Sequence, residues 1–303
     1  MNKVVLIIGF GSIGKKHAKI LSKLVGKKNI YVLSNQTNLP YKSISSPEAI
    51  NTLNPDYVVV ASDTTKHFDQ VRLLDEKLTN KMILVEKPLF DKYRNFTPLN
   101  NEFFVGYNLR FNPLLKKLKQ NMKSEEILAI SSTCHSYLPK WRKEQDYRNS
   151  SSAHQSRGGG VLLDLSHEID LLHFLLEDKI DHSWSFNKQI SSLEIDTDDY
   201  LLAFGTSNKT ICKVETSYFS FHEKRILEVK TKNYSYELDF INSSLVVSSE
   251  ENQETFQESI LMDDTYSRQH EQILSGNRIN VCSYKEGLQV LAFIDQVRKS
   301  NGR

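Results

Sequence analysis

Gly9-Phe10-Gly11-Ser12-Ile13-Gly14 follows five apolar residues, Val4–Ile8, and opens a stretch of helical spacing. A G-x-G-x-x-G pattern is weak in isolation. Set between a strand and a helix, it describes the phosphate-cradling turn of a βαβ unit. Gly9 permits the tight turn, Gly11 removes the side chain that would block a pyrophosphate, and Gly14 lets the helix approach the sheet. The start of the helix, at Ser12 and Ile13, offers unsatisfied N–H groups and a positive dipole end to phosphates. These five residues are the first candidate cofactor contacts.

The flanking pattern agrees. Helical spacing runs from Ser12 to about Val25. Ile30–Leu33 and Tyr57–Ala61 read as strands, and Met82–Val85 and Phe103–Gly106 as further short apolar runs. Ser46-Pro47-Glu48 opens a short helix with Ser46 as its cap. Asp63 or Thr64 caps another helix reaching about Leu78. Strands joined by helices imply right-handed crossovers and a parallel sheet. From about Ile127 the period becomes two. Cys212, Val214, Thr216 and Tyr218 alternate with polar residues, as do Leu227 and Val229, and Tyr234, Tyr236, Leu238 and Phe240. That is the signature of an antiparallel sheet with one covered face. The apolar stretch Val161–Leu176 is the helix expected to cover it. Helical patterns return near Tyr266–Leu274 and Glu286–Val297, and the Ser- and Gly-rich stretch Asn149–Gly160 reads as a mobile loop. The expected fold is α/β: an N-terminal Rossmann domain with a doubly wound parallel sheet over residues 1–120, then a C-terminal α+β domain over 121–303. The second domain holds an open, mostly antiparallel sheet, with the last helix free to pack back on the first domain.

Composition excludes several functions. The 303 residues suit two domains, and the net charge of +2 gives no strong field for a nucleic-acid backbone or an anionic membrane. No apolar run approaches the roughly 20 residues that span a bilayer. Five apolar residues before Gly9 fall short of a signal-peptide core of about 7–15. Cys134, Cys212 and Cys282 are far apart and have neither disulfide nor zinc spacing, so the reading is buried thiols in a reducing cytoplasm and no metal site. At the end of the second strand, Leu33-Ser34-Asn35-Gln36 supplies neither an acid for ribose hydroxyls nor an arginine for a 2′-phosphate. Ser34 and Asn35 occupy that position, and the cofactor is NAD or NADP, not distinguished.

Two further segments complete the pattern: Glu86-Lys87-Pro88 at the end of the fourth strand, and Gly158-Gly159-Gly160-Val161-Leu162-Leu163-Asp164-Leu165-Ser166-His167-Glu168-Ile169-Asp170. With the glycine fingerprint these resemble the glucose–fructose oxidoreductase / inositol dehydrogenase / rhizopine catabolism family, Gfo/Idh/MocA, across most of the chain. The resemblance implies hydride transfer between nicotinamide and a sugar or cyclitol carbon, and an open sheet that often mediates oligomers. A homodimer or homotetramer through the C-terminal sheet is therefore expected. It implies that Lys87 contacts substrate and cofactor and that Asp164 and His167 face the substrate. The family's usual spacing places the histidine four residues after the aspartate, and here it is three. A subgroup with Asp-Leu-Ser-His-Glu-Ile-Asp is similar, and also carries motifs like Trp141-Arg142 and Asp146-Tyr147-Arg148. Its members resemble dehydrogenases of bacterial surface-sugar pathways, which points to an amino sugar or nucleotide sugar. Other relatives sense dinucleotide without turnover, and a reductase of another small molecule is a third reading.

Oxidising a secondary alcohol moves a hydride to the cofactor and a proton to a base, the base being worth roughly 10²–10⁴-fold. His167, with an ordinary pKa near neutrality, and Lys87 are the candidates. Three residues apart on a helix, Asp164 and His167 share a face, so Asp164 can orient His167 or bind a hydroxyl. A satisfied histidine on a packed helix is the plain alternative. Glu86 is expected to fix Lys87 or seat the strand end, while Pro88 restrains Lys87 to an extended backbone and admits a cis bond. The resemblance puts Thr64 and His67 beside the cofactor, a helix cap being the alternative for Thr64. After the fifth strand, Tyr107 and Arg110 are candidate substrate contacts. Arg110 can clamp an acidic group or make a domain-interface ion pair. Trp141, Arg142 and Tyr147 combine ring faces and positive charge suited to a sugar and its phosphates, against the alternative of a wet surface loop.

Overall fold

The computed structural model describes residues 3–142 and 144–300, so the outermost residues of the expected domains, 1–2 and 301–303, lie outside the described residues, as does Lys143. The chain forms two compact units. One comprises residues up to Asn108 with Leu261–Leu288, the other Leu109–Ile260 with the residues from Gln289 on. In chain order the elements of the first unit are β1 (Val5–Ile8), α1 (Ser12–Val25), β2 (Ile30–Leu33), β3 (Lys42–Ser43), α2 (Ala49–Leu53), β4 (Tyr57–Val60), α3 (His67–Lys77), β5 (Met82–Val85) and β6 (Glu102–Val105). The second unit contributes α4 (Pro113–Asn121), β7 (Ile127–Tyr137), α5 (Val161–Asp164), α6 (His167–Leu176), β8 (Asp181–Lys188), β9 (Tyr200–Ser207), β10 (Thr210–Ser217), β11 (Phe219–Thr231), β12 (Ser235–Asp239), β13 (Ser244–Ser248) and β14 (Gln253–Gln257). Then α7 (Met262–Ser275) and β15 (Cys282–Ser283) return to the first unit, and α8 (Tyr284–Ser300) supplies residues to both.

The first unit's sheet has the order β15-β6-β5-β4-β1-β2-β3, parallel throughout except for β15 at one edge. β1 and β4 read as unbroken apolar runs because both faces are covered, and every residue of the two strands is buried. The strand order reverses direction beside β1. A crevice at the carboxyl ends of β1 and β4 is the general ligand site of such a sheet, and the glycine turn lies there. Two local expectations shift. Ser46, Pro47 and Glu48 form a turn, and the helix begins at Ala49 without a side-chain cap. A 3₁₀ turn, Thr64–Lys66, precedes α3, which starts at His67.

The second unit's sheet runs β14-β13-β12-β11-β7-β10-β9-β8. Neighbours are antiparallel except β7 and β10, which pair in parallel from Ala129–Ile211 to His135–Ser217. Cys212, Val214, Leu227, Val229, Tyr236 and Leu238 point to the buried face, on which α6 lies against β7 and β10. The expected single helix over Val161–Leu176 is instead two. Ser166 N–H donates to Leu163 O at 3.3 Å, and this three-residue closure tightens the chain at Leu165–Ser166. Asp164 therefore ends α5 and His167 begins α6. Asn149–Gly160 is more ordered in its turns than a Ser- and Gly-rich stretch suggests. It winds through 3₁₀ turns at Ser151–Ala153 and Gln155–Arg157, with Ser150, Ser152 and Ala153 buried. Among the described residues no helix is long and apolar enough to cross a membrane.

Buried charges anchor α6. Glu168 accepts from the guanidinium of Arg225 on β11 at 2.6 Å and from Ser132 Oγ on β7 at 2.6 Å. Asp170 receives Arg110 in bidentate fashion, Nε at 3.0 Å and Nη2 at 2.6 Å, and both side chains are essentially inaccessible. Arg110 is thus neither a substrate clamp nor a link between domains. It is an internal pair of the second unit, and burial of its whole fork leaves nothing to bind a ligand. Breaking such a pair strands a charge. Arg110→Met is expected to cost about 3–5 kcal/mol by urea denaturation, and Arg110→Met with Asp170→Leu to recover most of that loss.

Candidate functional site

The three fingerprint glycines are required for different reasons. Gly9 has φ +90°, and a Cβ there would lie 2.6 Å from Ala61 O at the end of β4. A Cβ on Gly14 would overlap Gly9 O. Those two glycines let the chain pack on itself. Gly11 differs: its φ is −71°, open to any residue, and a Cβ there would meet nothing within 4 Å. Packing within the described structure gives no reason for glycine at this position, whereas a ligand approaching the backbone does. Gly11 is also the N-cap of α1, contributes no capping side chain, and is followed by a first turn without acidic residues. Gly11 and Ser12 are exposed and Ile13 half-buried, which leaves the helix start accessible to an anion. Past β2, Ser34 is half-buried and Asn35 exposed. Gln36 braces the turn, its amide donating to Phe10 O at 3.0 Å and its N–H to Ser34 Oγ at 3.2 Å. This arrangement fits a dinucleotide pyrophosphate on α1. Gln36 was not singled out from sequence, though its polar side chain at a strand end was the available signal.

At the end of β5, the Lys87–Pro88 bond is cis and Lys87 N–H donates to Glu86 Oε2 at 3.2 Å. Glu86 is buried and Lys87 half-buried. His67 is buried, its ring nitrogens 3.1 Å from Ser62 O and 3.2 Å from Pro88 O. The imidazole is engaged by main-chain carbonyls just past the ends of β4 and β5. Burial pushes its pKa below the ordinary histidine value, with the two backbone hydrogen bonds opposing. Thr64 is half-buried in its 3₁₀ turn. Tyr107 is fully buried and so offers no surface to a substrate.

In the second unit, Asp164 Oδ2 accepts from Tyr218 Oη at 2.6 Å. Tyr218 is fully buried, and burial together with the Asp164 charge drives its pKa well above the ordinary tyrosine value, so it remains a donor. Trp141 sets its ring edge-on against Tyr218 at 5.2 Å. Trp141, Arg142 and Tyr147 line one pocket with Leu138, Gln145 and Ser150. Tyr147 Oη accepts from Glu194 N–H at 3.2 Å and Arg142 donates to Gln145 at 3.1 Å, while Trp141 and Arg142 are exposed. His167 is buried at the first position of α6. Tyr218 escaped notice because it sits at the end of an alternating strand pattern, where it reads as one more core residue.

Two measurements follow. Gly11→Val is expected to leave the melting temperature essentially unchanged while weakening NADH binding at least about tenfold, because its side chain fills only the open space. The second concerns acid. Below about pH 6.5 the unfolded His67 ring takes a proton that the folded ring refuses, so stability falls as pH falls, by up to about 1.4 kcal/mol per unit. His67→Gln is expected to lose that share of the slope in urea melts between pH 7.5 and 5.5.

Comparison with known proteins bears on both units. Residues 115–237 match the family model described as the GFO/IDH/MocA C-terminal domain. No curated protein matches the chain. Among solved structures, UDP-N-acetylglucosamine 3-dehydrogenase GnnA from Acidithiobacillus ferrooxidans aligns over 99% of this chain and 98% of its own at 17% identity and TM-score 0.78. Levoglucosan dehydrogenase, solved in complex with NADH, aligns over 99% of this chain and 97% of its own at 17% identity and TM-score 0.82. GenD2 from gentamicin A biosynthesis, solved in complex with NAD, covers 100% of this chain and 96% of its own at 16% identity and TM-score 0.78. At these identities the likeness establishes the fold, a Rossmann-like parallel sheet followed by a mostly antiparallel one. The family match itself lies within residues 115–237, which are similar to the GFO/IDH/MocA C-terminal domain.

Proposed function

We propose that this protein is an NAD(P)-dependent oxidoreductase transferring a hydride between nicotinamide and a carbon of a sugar, amino sugar or nucleotide sugar. The observation that carries the reading is the open space over Gly11 at the bare N-terminus of α1. The amides around Gly11, Ser12 and Ile13 would hold the pyrophosphate, Gly9 and Gly14 keep the turn in shape, and Ser34, Asn35 and Thr64 remain candidates for the rest of the cofactor. NAD is favoured by the neighbours solved with NADH or NAD.

The bound nicotinamide supplies the hydride acceptor or donor. When an alcohol is oxidised, its C–H bond gives up the hydride, its O–H bond gives up a proton, and the carbon–oxygen bond becomes a carbonyl. Lys87 and His167 are the residues proposed to take the proton. Asp164, which accepts from Tyr218, is the residue proposed to orient a substrate hydroxyl. Trp141 and Tyr147 offer ring faces of the kind sugars stack on and Arg142 a guanidinium of the kind phosphates pair with, which is the basis for including them as substrate contacts. The reducing cytoplasm is the proposed location, consistent with three buried free thiols.

The outward face of the second unit's sheet exposes Trp184, Phe204 and Ile211, and a homodimer or homotetramer through this face is proposed. Ile211→Glu with Phe204→Glu is expected to shift the mass measured by light scattering to that of a monomer.

Activity is tested by absorbance at 340 nm with NAD⁺ or NADP⁺ and a panel including UDP-N-acetylglucosamine and levoglucosan. Lys87→Met and His167→Ala are each expected to lower turnover at least about 10²-fold with NADH affinity nearly intact. Wild-type turnover in both variants refutes the assignment. Tight cofactor binding with no hydride transfer to any panel member favours a silent sensor.

A further inference from the structure

Four buried polar groups of the first unit stand in one hydrogen-bonded row. Tyr57 Oη lies 2.9 Å from His270 Nδ1, His270 Nε2 lies 2.8 Å from His17 Nδ1, and His17 Nε2 lies 2.8 Å from Glu86 Oε1. Tyr57, His17 and His270 are completely inaccessible and Glu86 nearly so. The row joins β4, α7, α1 and the end of β5. It includes the helix that begins at the fingerprint and the residue immediately before Lys87. Aliphatic side chains would pack α1 against α7 without the desolvation cost of four polar groups, so packing alone does not account for the row.

The protons along it have one consistent order. Among the described residues, Tyr57 Oη hydrogen-bonds to His270 alone, so its proton goes to His270 Nδ1 or is wasted in the core. Burial keeps Tyr57 protonated and drives the His270 pKa far below the ordinary value, so that ring has one N–H to give. With Nδ1 accepting, His270 donates from Nε2 to His17 Nδ1. That leaves His17 to donate from Nε2 to Glu86 Oε1. The opposite tautomer of His17 would set a nitrogen lone pair against a carboxylate oxygen 2.8 Å away. With Oε1 held in this way, Oε2 of the same carboxylate receives the backbone N–H of Lys87 at 3.2 Å.

We propose that the row Tyr57–His270–His17 is a positioning device: it fixes the tautomer of His17, holds the Glu86 carboxylate in one orientation, and thereby sets the backbone of Lys87 for the proton step. The role of Lys87 in that step rests on the function proposed above; the row itself does not.

The test has a ligand-free arm and a catalytic arm. In ¹⁵N-histidine NMR of the unliganded protein, His17 and His270 are expected to carry their protons on Nε2 with Nδ1 bare. In His17→Leu the Lys87 amide is expected to exchange with solvent at least about tenfold faster, and in His17→Gln, whose side-chain amide can still donate to Glu86, to stay near wild type. With NAD⁺ and UDP-N-acetylglucosamine, His17→Leu is expected to lower kcat at least about tenfold with NADH affinity within about threefold of wild type, and His17→Gln to restore most of kcat. His270→Leu, which removes the donor toward His17, set against His270→Gln, which keeps one, provides the same comparison if His17→Leu does not fold. A proton on Nδ1 of His17, or Lys87 exchange that does not respond in His17→Leu, overturns the proposal. Full turnover in Lys87→Met instead strikes the reading of Lys87 and leaves the NMR result to stand by itself.

Discussion

The accessible start of α1 is the constraint on which the rest depends. Gly9 and Gly14 are explained by the chain's own packing, since any side chain at either would collide with backbone at the ends of β1 and β4. Gly11 has no such explanation. A glycine that the fold does not require, at an uncapped helix start, is what close approach of an anionic ligand to backbone amides demands. The β1–β4 crevice, the Gln36 brace and the strand end bearing Lys87 all belong to the first unit, the unit on which the dinucleotide is proposed to bind.

Charge placement in the second unit separates scaffold from chemistry. Of the acidic residues in Asp-Leu-Ser-His-Glu-Ile-Asp, Glu168 and Asp170 are consumed by Arg225 and Arg110 in the interior, while Asp164 is only half-buried and bonded to a phenol. Buried ion pairs are modest contributors to net stability but penalise every alternative placement of the helix that carries them. They fix where α6 starts, and with it His167.

Much of this was legible in the sequence because it depends on local pattern. The alternation at Cys212–Thr216 and the unbroken apolar run Val5–Ile8 each identify a face or a core, and the glycine fingerprint identifies a turn. What escaped depends on partners distant in sequence. Arg110 looks like a ligand clamp until Asp170, 60 residues on, occupies its fork. His67 carries no local mark of its contacts with the carbonyls of Ser62 and Pro88. Tyr218 carries no local mark of its bond to Asp164, and the break at Leu165–Ser166 lies inside a stretch whose apolar spacing suits one continuous helix.

The central claim is most directly tested by a crystal structure of the protein soaked with NADH. The account predicts pyrophosphate density within hydrogen-bonding distance of the amides in the first turn of α1, with the chain at Gly11 in van der Waals contact with it. Cofactor density elsewhere, or a protein that takes up no dinucleotide at saturating concentration, would contradict it.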